Sequence, residues 1–293
     1  TPFSYVATTS AILWEGLTPV FVDIRPDTLC INPELIEAAI TPRTTAILAT
    51  HVYGIPCDVE AIDAIAKRHG LKVIYDAAHA FDVRYKGRPI TAYGDASTLS
   101  FHATKLFHTV EGGATIIHSP EHEHATRLLR SFGHVNDDHF TLGINAKMSE
   151  VHAAMGLAVL PHMEQNIAER KAICEEYDLA LHELPVRRPA LPEGTSYNFS
   201  YYPVLLEDAA SREESLQRMA YRNVHGRRYF YPSLNELPYV SKQSCPLSES
   251  MAQRAICLPL FNGMTHQTRR TVIDAFRASV TNGAVQANRA FQA

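Results

Sequence analysis

Strand-like and helix-like segments alternate through the first two thirds of this sequence, and few folds accept that order. Pro19-Val20-Phe21-Val22-Asp23-Ile24 is a short apolar run rich in β-branched residues and reads as a buried strand. Asn32-Pro33-Glu34 opens a helix through Ile40, with Asn at the cap and Pro in the first turn. Residues 46–51 form a second strand, turned by Tyr53-Gly54. Asp58 caps a helix whose apolar positions Val59, Ile62, Ile65 and Ala66 recur at helical spacing as far as Gly70. Residues 72–75, running into Asp76, then 97–101 and 114–118, supply three more strands. Strands separated by helices imply βαβ units and a mostly parallel sheet flanked by helices, so the fold class is α/β. Ligands of such sheets bind beyond the carboxyl ends of the strands. That rule directs attention to Asp76 and to the segment after Phe101.

Residues 148–184 carry a long helical pattern that Pro161 kinks or breaks. The composition changes near Pro185, where Pro185, Pro189 and Pro192 mark a linker up to Gly194. Beyond it a strand over 197–206, a helix over 211–223, a Pro-rich aromatic loop and a helix over 265–280 make a smaller α+β unit. The tail after Asn282 is expected to be loose. The expected organisation is a large domain over 1–160, a connecting helix over 161–184 and a small C-terminal domain over 185–293, which suits a chain of 293 residues. The chain starts at Thr1 without a methionine and reads as a fragment that lacks its natural N-terminus.

Charge and motif content exclude several function classes. Twenty-seven basic against 31 acidic residues give a net charge of −4, which builds no large basic surface and argues against a nucleic-acid partner. No apolar stretch of about 18 residues exists, so no membrane span is expected. The five cysteines, Cys30, Cys57, Cys174, Cys245 and Cys257, include no C-x-x-C pair, and no secretory leader is present. A reducing compartment, the cytoplasm, fits this pattern. There is no G-x-G fingerprint, no Walker loop and no G-x-S-x-G elbow. His118, His122, His124, His134 and His139 lie close in sequence, yet His122 and His124 face different sides of one helix and no H-E-x-x-H occurs. A solvated face is the plain reading, and no metal is expected.

Two polar residues at strand ends carry the chemistry. Lys105 leaves the strand over 97–101 among small and apolar residues, and a desolvated lysine is a free amine able to attack a carbonyl. The glycines Gly112-Gly113 permit close backbone packing or positive φ beside it. The plain alternative is an ordinary surface lysine. Asp76-Ala77-Ala78-His79 closes another strand, and its alanines leave room for a flat ring. The plain alternative for Asp76 is a helix cap. Together the two are what pyridoxal phosphate (PLP) chemistry needs: a lysine for the Schiff base and a carboxylate that keeps the pyridine nitrogen protonated.

At this point the sequence resembles a known family. Asp76-Ala77-Ala78-His79, Ser100-Phe101-His102-Ala103-Thr104-Lys105 and Glu111-Gly112-Gly113-Ala114 are similar to motifs of the DegT-type sugar-nucleotide aminotransferases, which have the fold type I PLP architecture. Gly143-Ile144-Asn145-Ala146-Lys147-Met148-Ser149-Glu150 resembles that family's G-x-N-x-R-M-S-E segment, and Thr1-Pro2-Phe3-Ser4-Tyr5-Val6-Ala7-Thr8 its strand-turn. The likeness spans residues 1–280.

The resemblance implies roles at matching positions. Lys105 would carry the cofactor and Asp76 would pair with its pyridine nitrogen. Tyr5 would stack on the ring, His79 would lie beside the phenolic oxygen, and Ser100 would hold the phosphate. Asn145 would reach the cofactor of a partner subunit, which makes a homodimer with shared sites. The implied reaction moves an amino group from glutamate to a nucleotide-linked 4-keto-6-deoxyhexose, dTDP-4-dehydro-6-deoxyglucose, for surface-polysaccharide (O-antigen) sugars. A 3-keto sugar-nucleotide aminotransferase and a non-enzymatic sensor of PLP or sugar nucleotide stay open. A dehydratase of the same fold has histidine in place of the lysine, and Lys105 argues against it. Lys147, Arg227, Arg228 and Tyr229 are the candidate substrate contacts, offering cations and an aromatic face to a diphosphate and a ring. A solvated Arg pair beside a packed loop is the alternative for the last three.

Three departures from the family pattern stand out. Its phosphate-binding Ser/Thr-Gly-Thr helix start would lie upstream of Thr1. Lys147 stands where many members have Arg. Asp82 stands where glycine is common.

Overall fold

In this computed structural model residues 1–290 are described, with side chains as far as residue 281; the tail expected after Asn282 lies outside the described side chains. Helix α1 (Val6–Trp14) opens the chain, and α2 (Ile36–Ala39) follows a 3-10 turn that Asn32 caps through the Glu34 N–H. Strand β1 (Ala46–Thr50), helix α3 (Val59–His69) and strand β2 (Lys72–Asp76) make the first crossover unit. The hairpin β3 (Arg84–Tyr85) and β4 (Arg88–Pro89) leads to β5 (Ala96–Ser100) and β6 (Gly113–Ile117). The sheet order is β1-β2-β5-β6. The first three strands run parallel, with Ala46 opposite Lys72 and Ile74 opposite Ala96. β6 is antiparallel to β5, with Ser100 opposite Gly113, because the chain returns without a helix between them.

Helix α3 shows how the sequence specifies its element. The Asp58 carboxylate accepts from the Ala61 N–H at 3.1 Å, Gly70 ends the helix at φ 65°, and Val59, Ile62, Ile65 and Ala66 are its buried face.

Helix α4 (Pro120–Leu129) and the hairpin β7 (His134–Val135), β8 (Asp138–His139) precede α5 (Glu150–Val159). A 3-10 turn containing Pro161 separates α5 from α6 (Met163–Leu181), as the proline predicts. The C-terminal third holds β9 (Thr195–Ser196), β10 (Tyr202–Leu205), α7 (Ala209–Tyr221), α8 (Pro246–Arg254), β11 (Ala255–Leu258) and α9 (His266–Ala290). β10 and β11 pair antiparallel, and β9 joins the edge of β3. One core cluster spans Phe3 to Ile90 and takes in Leu205, Tyr229, Phe230, Met251 and Cys257; a second packs α6, α7 and α9 on β10 and β11.

Two strand expectations need correction. Residues 19–24 are irregular, and only Ile24 makes a bridge, to Ile31. A side chain takes the place of a neighbouring strand. Gln243 accepts from Phe21 N–H at 2.8 Å and donates to Pro19 O at 3.0 Å. The strand expected over 197–206 shrinks to β10. Phe199 has φ 52°, and the Asn198 amide donates to His79 O and Phe81 O at 2.9 and 2.8 Å. Asp82, the residue without a sequence account, has φ 56°. That is the left-handed region, where glycine is free of strain and Asp is among the tolerated residues.

Asp23 ties the two ends of the chain. Its buried carboxylate accepts from Ile24 N–H at 2.9 Å, Leu247 N–H at 2.9 Å and Ser248 N–H at 2.8 Å. It therefore caps α8, whose own N-cap residue Cys245 makes no side-chain bond. Asp23→Ala is expected to cost about 2–3 kcal/mol, since it strands buried donors at a helix start. A urea midpoint within error of wild type would reject this role.

Candidate active site

Asp76 ends β2 at the carboxyl edge of the sheet, with its orientation set by hydroxyls. Thr8 donates to Asp76 Oδ2 at 2.6 Å, Ser4 and Thr8 share a 2.7 Å bond, and Thr50 donates to Ser4 at 3.1 Å. The other oxygen, Oδ1, accepts from Ala78 N–H at 3.1 Å. The chain of hydroxyls joins α1, β1 and β2 and fixes the carboxylate before any ligand arrives.

Lys105 sits in the connection between β5 and β6. Phe101 N–H donates to Gly112 O and Thr109 N–H to Phe101 O, each at 2.9 Å, which closes that loop. Leu106 and Phe107 are buried beside Phe81, Phe101 and Met163 and anchor it from below. The glycines are required here: Gly112 has φ 150°, and a Cβ on Gly113 would lie 2.7 Å from Leu99 O. Burial pushes the Lys105 amine down to about 8; nearby Asp76 opposes the shift and Arg227 adds to it. Near pH 8 half of this lysine is a neutral amine. Its acylation by a succinimidyl ester, mapped by peptide mass, should rise with pH to a half-maximum near 8. An exposed lysine titrates near about 10.4, and that value here would refute desolvation.

His79 is buried, and among the described residues neither ring nitrogen has a hydrogen-bond partner. Its ring stacks on Phe230 at 5.3 Å and meets Tyr201 edge-on at 4.9 Å. Burial, with the Lys105 charge behind it, holds the imidazole well below its usual range, so it is neutral. Tyr5, at the start of α1, leaves 53 % of its surface open, and its ring lies 6.3 Å from that of Tyr229. Tyr229 in turn lies 5.8 Å from His79. The Arg227 guanidinium stands 5.0 Å from the Tyr229 ring. Tyr5, Asp76, His79, Lys105, Arg227 and Tyr229 thus form one cluster. A carboxylate, a half-neutral amine, an open aromatic face and two unsatisfied imidazole nitrogens converge at a strand end.

Comparisons with known proteins identify the family. The model of the DegT/DnrJ/EryC1/StrS aminotransferase family matches residues 1–277. The chain belongs to that family. This aminotransferase is 40 % identical over 285 residues to a dTDP-4-amino-4,6-dideoxy-D-glucose transaminase of Shigella dysenteriae, covering 94 % of this chain and 78 % of that one. A transaminase of the same name from Escherichia coli is 41 % identical over 283 residues, covering 91 % and 75 %. The crystal structure of DesI in the presence of its TDP-sugar product superposes with a TM-score of 0.91 at 35 % identity, covering 98 % of this chain and 76 % of that one.

Other expected residues of the aminotransferase make contacts of their own. Ser100, at the end of β5, accepts from His102 N–H at 3.4 Å. Asn145 and Lys147 are exposed and bond to each other at 2.9 Å; the Lys147 ammonium lies 4.7 Å from the Phe132 ring. The Arg227-Arg228-Tyr229 run divides. Arg228 is drawn to Tyr231 at 4.7 Å, where Arg212 also stands at 5.1 Å. Among the described residues no group of His, Cys, Asp or Glu could hold a metal, and no helix is long and apolar enough to cross a membrane. Sequence reasoning missed Thr8, Ser4 and Phe230. Nothing in the local pattern marks the two hydroxyls, and only the fold brings Phe230 under His79.

Proposed function

We propose that the chain is a PLP-dependent aminotransferase that moves an amino group from glutamate to a nucleotide-linked 4-keto-6-deoxyhexose. The observation that carries the reading is the partly buried Lys105, desolvated and within range of the Asp76 charge, together with the Asp76 carboxylate fixed at the end of β2 and the open Tyr5 ring near Tyr229. The residues present fit the cofactor. The unsatisfied, neutral His79 ring can bond its phenolic oxygen, and Asp76, held by Thr8 and the Ala78 N–H, would pair with a ring nitrogen. Tyr5 would cover the ring, Ser100 would bond the phosphate and Lys105 would hold the cofactor covalently. When bound, PLP supplies an electron sink for charge developing at the α-carbon of the amino donor.

The chain's own groups do the rest. Lys105 Nζ would be the proton carrier: in the first half of the cycle it would take the α-proton of the donor and pass it on, returning to the free amine. In the second half of the cycle it gives a proton to C4 of the sugar. Arg227, beside Tyr229, would meet the substrate's negative charge. The substrate class follows the names of the 40 % and 41 % identical relatives.

Asn145 and Lys147 would serve the site of a second subunit. Val135, Phe140, Leu142, Ile144, Val151 and Leu157 are exposed around them, and such an apolar stretch favours a homodimer. Residues 1–160 would hold the cofactor, 161–184 connect, and 185–293 form the smaller domain. The five buried free thiols go with a reducing cytoplasm.

Two half-reactions at one site require ping-pong kinetics. Initial rates should give parallel double-reciprocal lines; intersecting lines, with both substrates bound before product leaves, would end this reading. Borohydride reduction after adding PLP should label Lys105 in a peptide map.

A further inference from the structure

Lys105 also lines a cavity of about 530 Å³ whose other lining residues lie outside the cluster described above. The turn Ala103–Leu106 forms one side, with His108. Asn166 and Arg170 of α6 form the second, and Leu260, Phe261 and Asn262 close the third. No Asp or Glu lines it, while Lys105, Arg170, His108 and His162 do. The Arg170 charge on its wall therefore favours an anion.

Arg170 is the built part of this wall. It is only 8 % exposed, and both acceptors it reaches are neutral: Asn262 Oδ1 from Nε at 2.8 Å and Ser200 O from Nη1 at 3.2 Å. Glu169, its neighbour in the chain, is committed to Gly263 N–H at 2.7 Å and the Asn262 amide at 3.0 Å. A buried guanidinium without a carboxylate is costly unless something else supplies the charge. Two of its five N–H groups are used, which leaves Nη2 and the second hydrogen of Nη1. Those form the end-on fork that suits a carboxylate. His108 adds a buried Nδ1 with no partner among the described residues. Leu106, Val159, Leu260 and Phe261 supply apolar walls for a short methylene chain.

We infer that this cavity is the subsite for the carboxylate of the amino donor, with Arg170 as its anchor. The inference rests on the aminotransferase reading and adds to it where the donor is held. An amino acid seated there has its carboxylate on Arg170 and its amine toward Lys105, which lines the same cavity. The departing oxo acid uses the same fork.

The probe is glutarate, a dicarboxylate with no amine to react, titrated calorimetrically into the full-length, cofactor-loaded enzyme. Two variants are compared with wild type. Arg170→Gln removes the charge. Asn166→Asp places a like charge in the cavity, and the Asn166 side chain makes no hydrogen bond among the described residues, so the fold is spared. Each should weaken glutarate binding at least about tenfold. The KM for the donor should rise by the same factor while the KM for the sugar nucleotide changes less than about twofold. Unchanged glutarate affinity in both variants overturns the subsite, whatever the turnover. Inorganic phosphate that binds more tightly than glutarate and is lost in Arg170→Gln overturns the carboxylate assignment. Wild-type enzyme that binds glutarate but transfers no amine from any donor overturns the aminotransferase reading instead.

Discussion

Lys105→Ala is expected to lower turnover by at least about 10³-fold, because one side chain is both the covalent anchor and the proton carrier. The loss should appear in kcat. Folding should be spared, since Lys105 makes no side-chain hydrogen bond or ion pair among the described residues, and the loop is held by Leu106, Phe107 and the glycine pair. An external primary amine should restore part of the proton transfer. The pH profile adds a sign. With the amine pushed down to about 8, the working free base increases as pH rises through that value, so kcat should climb on the acid side of pH 8. Lys105→Ala should lose that limb. Retention of a tenth or more of wild-type turnover would dismiss Lys105 as the reacting amine.

Asp76→Asn should be the next most damaging change, with a fall in turnover of about 10²-fold or more. The amide keeps the shape and can still accept from Thr8 but carries no charge to stabilise a protonated ring nitrogen. A second effect separates this role from a merely structural one. Asp76 raises the Lys105 amine against the downward pull of burial. Without that charge the lysine titrates lower, so its acylation half-maximum must shift below about 8. A midpoint that stays put, or moves up, would show that the two groups do not face each other across the site.

Much of the fold was legible because local chemistry and tertiary packing agree. The Asp58 cap, the Gly70 terminus and the apolar face of α3 are all satisfied within a dozen residues, so their pattern alone specified the helix. Pro161 divided α5 from α6 for an equally local reason. The misreadings have long-range causes. Residues 19–24 have the composition of a strand, but Gln243, more than 200 positions away, takes their backbone groups. Asn198 likewise ends a strand by reaching back to His79 O.

The candidate site divides along the same line. Asp76 and Lys105 stood out because each follows a strand, and the residues that orient them did not. Thr8 is an ordinary threonine until α1 is laid beside β2. Arg227 and Arg228 were indistinguishable as a pair; extended backbone sends neighbouring side chains to opposite faces, and so only one of them meets Lys105.

The aromatic stack under His79 has a consequence for how this protein can change. Phe3, Tyr53 and Phe230 belong to the main core, and through Phe230 they carry the His79 ring at the site. Substitutions there would be judged on folding before they were judged on catalysis, and most would fail the first trial. Tyr5 and Arg227 border the same space from exposed positions and carry no such double duty. Adaptation to a new sugar is therefore confined to the rim, while the floor is inherited nearly intact.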